Sequence, residues 1–474
     1  MTAASQLPGP SRQATGGVRQ SGGVRRWRKT GDADREGRGV MRRSRGVLAL
    51  GALVAVAVAA FAVGCGSSSS TSTSASPSAS AVKPTGSITF LVSSTPTVDN
   101  LLKQIPAFEK QTGIKVNVAN IDYDSMTTKE TLDLRSKTGQ YDVFWVEGTF
   151  LGRYVGQLHG LEPLDTYAAS QGVDLGLSDF PTQLKQNFSM DGHLYAMPFE
   201  ATLMMQAYRT DLYQKAGLQP ATTLPAYLSN VAKLNNPPKV YGTEVMGQRG
   251  EPIFYEWVNW LWGEGGQLFD SSGQPTIDSP QAIKALEDVI TLAKSAPAGT
   301  VNYGWDQATT AFGQGNVTTA VLFSDQTPGL LDPTASKVTG KWAYSPFPGT
   351  DPTAFGGYSW GMNAFSNNKP AALAFIQWAT SKQVLSSLVP GGSSPPRVSI
   401  QSDTALQAKY PWLKAEEAAA PRAQVPMTSP YYFQLVDAIS AQMNSALTGG
   451  TTPQKAMQAA QKQWQQILTT GGGL

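Results

Sequence analysis

The chain has 474 residues, of which 41% are hydrophobic and 15% are charged, and its formal net charge is +3. The first 64 residues hold 11 of its 37 basic and 3 of its 34 acidic residues, so the remainder has 26 basic and 31 acidic residues and a net charge of −5. This balance argues against a nucleic-acid partner, and the single cysteine excludes an intramolecular disulfide and a thiolate metal cluster.

A secretory signal peptide is predicted ahead of Cys65. The segment Met41–Arg45 is basic, the run Val47–Val63 is apolar, and a small residue follows. A lone cysteine at this point resembles a bacterial lipobox, which implies that Cys65 carries a diacylglyceryl group and begins the mature protein. The alternative is an uncleaved transmembrane anchor, although spanning a bilayer takes roughly 20 apolar residues. Either way, we expect the mature chain at the cell membrane, on its extracytoplasmic face.

Residues 1–64 are therefore assigned to the leader and signal peptide. Met41 is a plausible true start because the segment before it has no apolar period, and the alternative is a long disordered cytoplasmic extension. Residues 65–85 are rich in Ser and Thr, which predicts a flexible tether with a reach of roughly 25 Å.

Strand and helix patterns alternate along the rest of the chain. Ile88–Val92 is typical of a buried strand, and apolar residues from Val98 to Phe108 recur at helical spacing until Gly113. Residues 114–118 alternate as a strand, and Tyr141–Trp145 predicts another. This order predicts an α/β fold, and about 390 residues suffice for two domains. Further helices are predicted to start at Ser279-Pro280, Asn367–Pro370 and Thr452-Pro453.

The sequence lacks the motifs of common hydrolases. His159 and His193 are its two histidines, and it contains no His-Glu-x-x-His, Gly-x-Ser-x-Gly or P-loop motif. We therefore expect a protein that is not an enzyme and that needs no metal or cofactor. Chemistry that uses two carboxylates alone, as in glycosidases, stays open.

Ten tryptophans follow the signal peptide, and several stand beside polar side chains. Sugars and polyols need this combination, because their C–H faces pack on flat rings while their hydroxyls need polar partners. A tryptophan in a large α/β protein is nevertheless more often part of the core, and Trp378 and Trp464 lie on amphipathic stripes that predict packing. Trp305 and Trp360 stand among glycines and polar residues, which predicts loops and leaves both interpretations open.

A series of short segments follows one order along nearly the whole mature chain: Phe108–Val116, Tyr141–Trp145, Gly160–Asp165, Gly192–Pro198, Tyr208–Tyr213, Gly265-Gly266, Phe312–Gly315 and Asn368–Ala372. In order and spacing, the set resembles the extracellular solute-binding proteins of sugar ABC transporters, a bacterial family. Tyr303-Gly304-Trp305 and the loop Gly391–Arg397 look most like its polyol-binding branch.

The resemblance implies a type II periplasmic-binding-protein-like α/β fold, with two lobes and the ligand in the cleft between them. Lobe one would comprise residues 86–197 and 352–394, and lobe two residues 198–351 and 395–474, with Pro198 near the first crossing. The protein would be a monomeric lipoprotein that closes around a sugar or polyol and delivers it to ABC permease subunits.

Candidate ligand-binding residues combine aromatic rings with groups that bind hydroxyls. The tryptophans among them would stack on the ligand, and a guanidinium fork can bridge two neighbouring hydroxyls. Residues expected to take hydroxyls are Glu147, Asp306, Asp325 and Arg397. The complete candidate set is Ser94, Trp145, Glu147, Glu200, Glu256, Tyr303, Trp305, Asp306, Asp325, Tyr358, Trp360 and Arg397.

Two rival functions stay open for the sequence. A secreted carbohydrate-active hydrolase with paired carboxylates would change its ligand, whereas a receptor returns the ligand intact. A cell-wall scaffold lipoprotein would bind no ligand, and the many aromatic residues of the kind found in ligand clefts argue against it.

Overall fold

The computed structural model describes residues 85–349 and 352–471. The predicted signal peptide, Cys65 and all but the last residue of the predicted tether lie outside the described residues. The strands, in chain order, are β1 Ser87–Val92, β2 Lys115–Asn120, β3 Val143–Glu147, β4 Ser189–Met190, β5 His193–Leu194, β6 Ala196–Pro198, β7 Met204–Arg209, β8 Thr319–Phe323, β9 Trp342–Pro346, β10 Thr353–Ala354, β11 Tyr358–Met362 and β12 Ala423–Gln424.

The same part of the chain forms helices of 4 to 19 residues. None of them is both long and apolar enough to cross a membrane, within the residues that the structure describes. The α-helices are α1 Pro96–Leu102, α2 Ile105–Thr112, α3 Tyr123–Ser136, α4 Leu164–Ser170, α5 Thr182–Asn187, α6 Thr210–Lys215, α7 Leu224–Leu234, α8 Glu251–Gly263, α9 Pro280–Ala293, α10 Trp305–Gly313, α11 Thr327–Leu331, α12 Lys369–Ala379, α13 Lys382–Leu388, α14 Val398–Gln401, α15 Thr404–Lys409, α16 Trp412–Ala419, α17 Tyr432–Leu447 and α18 Pro453–Gly471.

The larger sheet has five strands in the order β2-β1-β3-β11-β6. Strand β1 runs parallel to β2 and β3, whereas β11 is antiparallel to β3 and β6. Parallel strands need a crossover connection, which α1 and α2 supply between β1 and β2, and α3 supplies between β2 and β3. The three predicted strands and the α/β class are confirmed.

A second sheet has β7 between β8 and β9, antiparallel to both. The chain enters this sheet directly after β6 and leaves it after β9 to form β11 in the larger sheet. Helix α12 packs on β1 and β11, whereas α10 packs on β8 and α16 on β9. Each sheet is thus the centre of one lobe, while the residue numbers given above for the lobe boundaries stay a prediction.

One predicted helix is divided into two. The spacing from Val98 to Phe108 predicted a single helix, but α1 ends at Leu102 and α2 begins at Ile105. Pro106 is the second residue of α2, and because it has no amide hydrogen it cannot continue the hydrogen-bond ladder of α1. The helix starts predicted from sequence are confirmed in α9, α12 and α18.

Candidate ligand-binding cleft

A cavity of about 290 Å³ lies between the two lobes. Because β1, β2 and β3 are parallel, their carboxyl ends meet at one edge of the sheet, which is where open α/β sheets bind ligands. These strand ends and the start of β11 form one wall, and α8, the start of α10 and the end of β8 form the other. The lining residues are Ser93, Ser94, Thr95, Tyr123, Trp145, Glu147, Thr202, Glu251, Tyr255, Trp305, Phe323, Asp325, Gln326, Gly356 and Tyr358.

Trp145 and Tyr358 form an aromatic surface on the first wall. Their rings stack with centroids 3.7 Å apart and planes at 17°. Tyr358 pairs directly with Glu147 across β11 and β3, and residues two apart on a strand share a face, so Trp145 and Glu147 point to the same side of the sheet. The pleat of β3 therefore places a ring and a carboxylate side by side at the cavity.

Glu147 is held in place by two donors. The Tyr123 hydroxyl and the Trp145 indole nitrogen both donate to its Oε1, at 2.8 and 3.1 Å. Within the described residues, Oε2 is therefore the oxygen that remains for a ligand. The side chain belongs to a residue only 9% exposed, and burial, followed by the charge of Glu251, raises the pKa of Glu147 to about 8.

Glu200 lies beneath this surface rather than in the cavity, which corrects its predicted role as a ligand-binding residue. It is fully buried, and the Tyr358 hydroxyl donates to its Oε2. The Thr97 hydroxyl and the Ser394 amide donate to Oε1 at 3.0 and 3.1 Å. Burial, followed by the charge of Asp325, raises the pKa of Glu200 to about 8. Glu200 therefore orients the ring of Tyr358 and lies outside the set of lining residues.

The start of β11 depends on a glycine. The amides of Phe199 and Glu200 both donate to the Tyr358 carbonyl at 3.0 Å, which brings two chain segments together. A Cβ on Gly357 would lie 2.4 Å from the Glu200 carbonyl oxygen, closer than any side chain allows. Glycine at this position thus allows the close approach that fixes Tyr358 at the cavity.

The opposite wall carries a second aromatic group. Trp305 is the first residue of α10 and is half-buried. Its ring lies 5.9 Å from Tyr255 in an edge-to-face arrangement and 5.2 Å from Phe323, measured between centroids. Trp305 therefore keeps an accessible face in the cavity while two neighbouring rings support it.

Glu251 and Asp325 add two carboxylates to this wall. The Tyr432 hydroxyl donates to Glu251 Oε1 at 2.7 Å, and the Gln326 amide donates to Asp325 Oδ1 at 3.4 Å. Burial raises the pKa of both acids, that of Asp325 to about 6. Among the described residues that line the cavity, none is Lys, Arg or His. The cavity thus combines hydroxyls and three carboxylates with aromatic rings.

Two predicted site residues lie in the interior instead of the cavity, which corrects the prediction. Trp360 is the central residue of β11, not part of a loop, and it is fully buried with its ring 4.9 Å from that of Phe90. Arg397 donates to the Thr380 carbonyl at 2.8 Å and to Asp179 at 3.2 Å, and its guanidinium lies 4.4 Å from the ring centroid of Phe180. Arg397 thus bonds to protein groups, and the Trp360 ring packs among other aromatic rings.

Three more candidates are also placed elsewhere. Glu256 follows Tyr255 on α8 but is buried within lobe two, where the Trp260 indole donates to its Oε1 at 3.3 Å and burial raises its pKa to about 7. Tyr303 and Asp306 line a separate cavity of about 250 Å³ beside α10. Adjacent helical residues point about 100° apart, so a neighbour of a lining residue need not line the same cavity.

The prediction missed several lining residues, although some of them stand at positions that the sequence pattern of helices and strands could have indicated. Glu251 and Tyr255 are four residues apart on α8 and therefore share a face. Thr95 caps α1 directly after β1, and its hydroxyl lies 3.0 Å from that of Tyr358. Tyr123 is the first residue of α3 after β2. The remaining missed residues are Ser93, Thr202, Phe323, Gln326 and Gly356.

Known proteins resemble this chain in sequence and structure. A probable amino-acid ABC transporter periplasmic-binding protein of Sinorhizobium fredii is 26% identical over 310 residues, covering 64% of this chain and 71% of that protein. The mannitol-binding protein of Pseudomonas aeruginosa is 28% identical over 377 residues, covering 70% and 81%. An ABC transporter solute-binding protein from Agrobacterium radiobacter K84, solved in complex with ribitol, has a TM-score of 0.72 at 29% identity and covers 79% of this chain and 97% of that chain.

The structural match extends over almost the whole of that binding protein. It confirms the predicted type II α/β fold with two lobes. The family described as bacterial extracellular solute-binding proteins matches residues 93–385, more than half of the chain. The chain therefore belongs to the bacterial extracellular solute-binding proteins, the family that the order and spacing of its short sequence segments predicted.

Proposed function

We propose that the protein is the receptor of an ABC importer, which binds a sugar or polyol outside the membrane and delivers it to the permease. The observation that carries the proposal is the cavity between the lobes, whose lining combines aromatic rings with hydroxyl and carboxyl groups. Polyhydroxylated ligands need these two kinds of partner together. The mannitol-binding relative and the ribitol-bound structure support the same ligand class.

The ligand would lie between the Trp145–Tyr358 pair and Trp305. Its C–H faces would pack on these rings, while Glu147 Oε2 and Asp325 would accept hydrogen bonds from its hydroxyls. A micromolar dissociation constant corresponds to about 8 kcal/mol. Several hydrogen bonds to carboxylates, at about 1.5–3 kcal/mol each, together with stacked rings can supply this after the cost of ordering the ligand.

A ligand that touches both walls favours closure. Trp145 and Glu147 belong to the sheet of lobe one, whereas Trp305 and Asp325 belong to lobe two. A ligand shifts a conformational equilibrium by its difference in affinity for the two states, and a ligand bridging both lobes gains contacts only when they are closed. The closed surface would then be the one presented to the permease.

A thermal-shift panel of sugars, polyols and amino acids tests the proposal, because a ligand that binds only the folded state raises its apparent stability. We expect stabilisation by a sugar or polyol, and recovery of that compound unchanged by mass spectrometry. An amino acid brings a carboxylate, for which the described lining offers no cationic partner. Stabilisation by amino acids alone would contradict the proposed ligand class. Turnover that Glu147→Gln abolishes would instead favour a hydrolase.

We further propose that the protein acts as a monomer and that Cys65 anchors it by a lipid. The order of basic, apolar and small residues ahead of Cys65 supports acylation at this position. Cys65→Ala should release the chain from membranes or mislocalise it at the membrane. Cell fractionation followed by immunoblotting measures this change. An unmodified peptide spanning Gly64 and Cys65, detected by mass spectrometry in the mature protein, would exclude lipidation and cleavage at this site.

A further inference from the structure

The cavity contains three carboxyl groups and, among its described lining residues, no cation that would pair with their ionised forms. Glu147, Glu251 and Asp325 line it together, and among the described lining residues there is no Lys, Arg or His to offset them. These carboxylates do not suggest a metal site, because no group of three or more His, Cys, Asp or Glu suited to a metal occurs in the part of the chain that the structure describes. A cation that would favour the ionised forms of these groups would therefore have to come from a ligand.

A neutral polyol would supply no such cation. Its hydroxyls donate hydrogen bonds to carboxylates, but they bring no positive charge that would favour the ionised carboxylates. The raised pKa values of Glu147 and Asp325, caused first by burial, are the expected consequence of carboxylates that lack a cation. An ammonium group would both donate hydrogen bonds and favour the ionised carboxylates.

One oxygen atom of Glu147 is available to accept a hydrogen bond from an ammonium group. Glu147 is 9% exposed, and both of its hydrogen bonds end on Oε1. The other oxygen, Oε2, has no protein donor among the described residues, and Glu147 lines the cavity. A charge-assisted N–H donor is the strongest partner that a ligand could bring to it.

The aromatic residues of the cavity also favour a cation. Six lining residues are Trp, Tyr or Phe, contributed by both walls. A cation within about 6 Å of such a ring is attracted to its face, and the interaction is stronger in a desolvated site. Rings and carboxylates together form a site that can hold an ammonium group on several sides.

We propose that the physiological ligand is a sugar or polyol in which a protonated amino group replaces one hydroxyl, bound with this group beside Glu147. This inference rests on the proposed function, since it refines the ligand class of the same cavity. The remaining hydroxyls would contact Ser94, Thr95 and the other hydroxyl groups of the lining. A free carboxylate on the ligand would be disfavoured.

Matched ligand pairs test the inference. Calorimetric titration at pH 7 compares D-glucitol with 1-amino-1-deoxy-D-glucitol, D-glucose with D-glucosamine, and the best neutral compound of the thermal-shift panel with its amino derivative. In the tightest-binding pair, we expect the amine to have a Kd at least about tenfold lower, the factor typical of one charged hydrogen bond. Equal or tighter binding of every neutral partner would overturn the inference and leave the proposed function standing. If no sugar, polyol or amino derivative binds, the proposed function fails as well.

Substitutions inside and outside the cavity test whether Glu147 causes the preference for the amine. Glu147→Gln should reduce the preference for the amine about tenfold, because the amide keeps the size of the side chain but carries no charge. Glu287→Gln, at an exposed position on α9, makes the same change of net charge outside the cavity and should leave the preference unchanged. If Glu147→Gln does not fold, Asp325→Asn takes its place. An unchanged preference in the folded cavity variant would overturn the inference.

Discussion

Removing the Trp305 side chain separates a ligand-binding role from a packing role. Trp305 lines the cavity and is half-buried, and its ring contacts are with Tyr255 and Phe323. By analogy with nucleobase stacking, loss of one aromatic platform costs about 1–3 kcal/mol of binding free energy. Trp305→Ala should therefore raise the Kd for the ligand roughly 5-fold to 150-fold. The two ring contacts are worth about 0.5–1.5 kcal/mol each beyond the area that they bury, and because Trp305 is only half-buried we expect its loss to destabilise the protein without ligand less than loss of a fully buried tryptophan.

Trp360→Ala is the matched control. It deletes the same side chain from a fully buried position in β11, where large-to-small changes cost about 3–5 kcal/mol of unfolding free energy. Calorimetric titration and denaturant unfolding of both variants give the two free energies for each. We expect Trp305→Ala to lose mainly affinity and Trp360→Ala to lose mainly stability. If Trp305→Ala loses as much stability as Trp360→Ala while its folded fraction binds normally, Trp305 is a core residue and its assignment to the site is wrong.

Two further variants test other assignments. Burial raises the pKa of Glu200 to about 8, above its ordinary value near 4.5, so the folded state favours the protonated side chain. The contribution of Glu200 to the unfolding free energy is therefore complete below about pH 4.5 and is lost as pH rises towards 8. Glu200→Gln should lessen the fall in unfolding free energy from pH 5 to pH 8 by on the order of 3–4 kcal/mol, and an unchanged fall in denaturant titrations would refute this. Arg397→Met removes the hydrogen bond to Asp179 and should cost about 1–3 kcal/mol of stability with an unchanged Kd for the ligand. Loss of affinity without loss of stability would show that Arg397 is a ligand-binding residue after all.

Local sequence signals predicted the secondary structure well. Ser279 precedes Pro280, and its hydroxyl caps α9 by accepting the Ala282 amide at 3.2 Å, an interaction contained within four residues. The alternation of strands and helices set the α/β class, and the amphipathic stripe of α18 placed Trp464 in the core, where it is fully buried. These features depend on neighbours along the chain, so the sequence determined them.

The membership of the cleft depended on the tertiary structure. Trp145 and Trp360 are the same residue type in strands that pair with each other, yet Trp145 borders the cavity and Trp360 lies under the neighbouring rings. Glu251 and Glu256 lie on one helix, yet only the face shared by Glu251 and Tyr255 reaches the cavity. Strand ends and helix starts that lie more than 200 residues apart in the chain pack together to form the cavity. This packing decides which side of each strand or helix is buried and which faces the cavity, and a local sequence pattern does not contain that information.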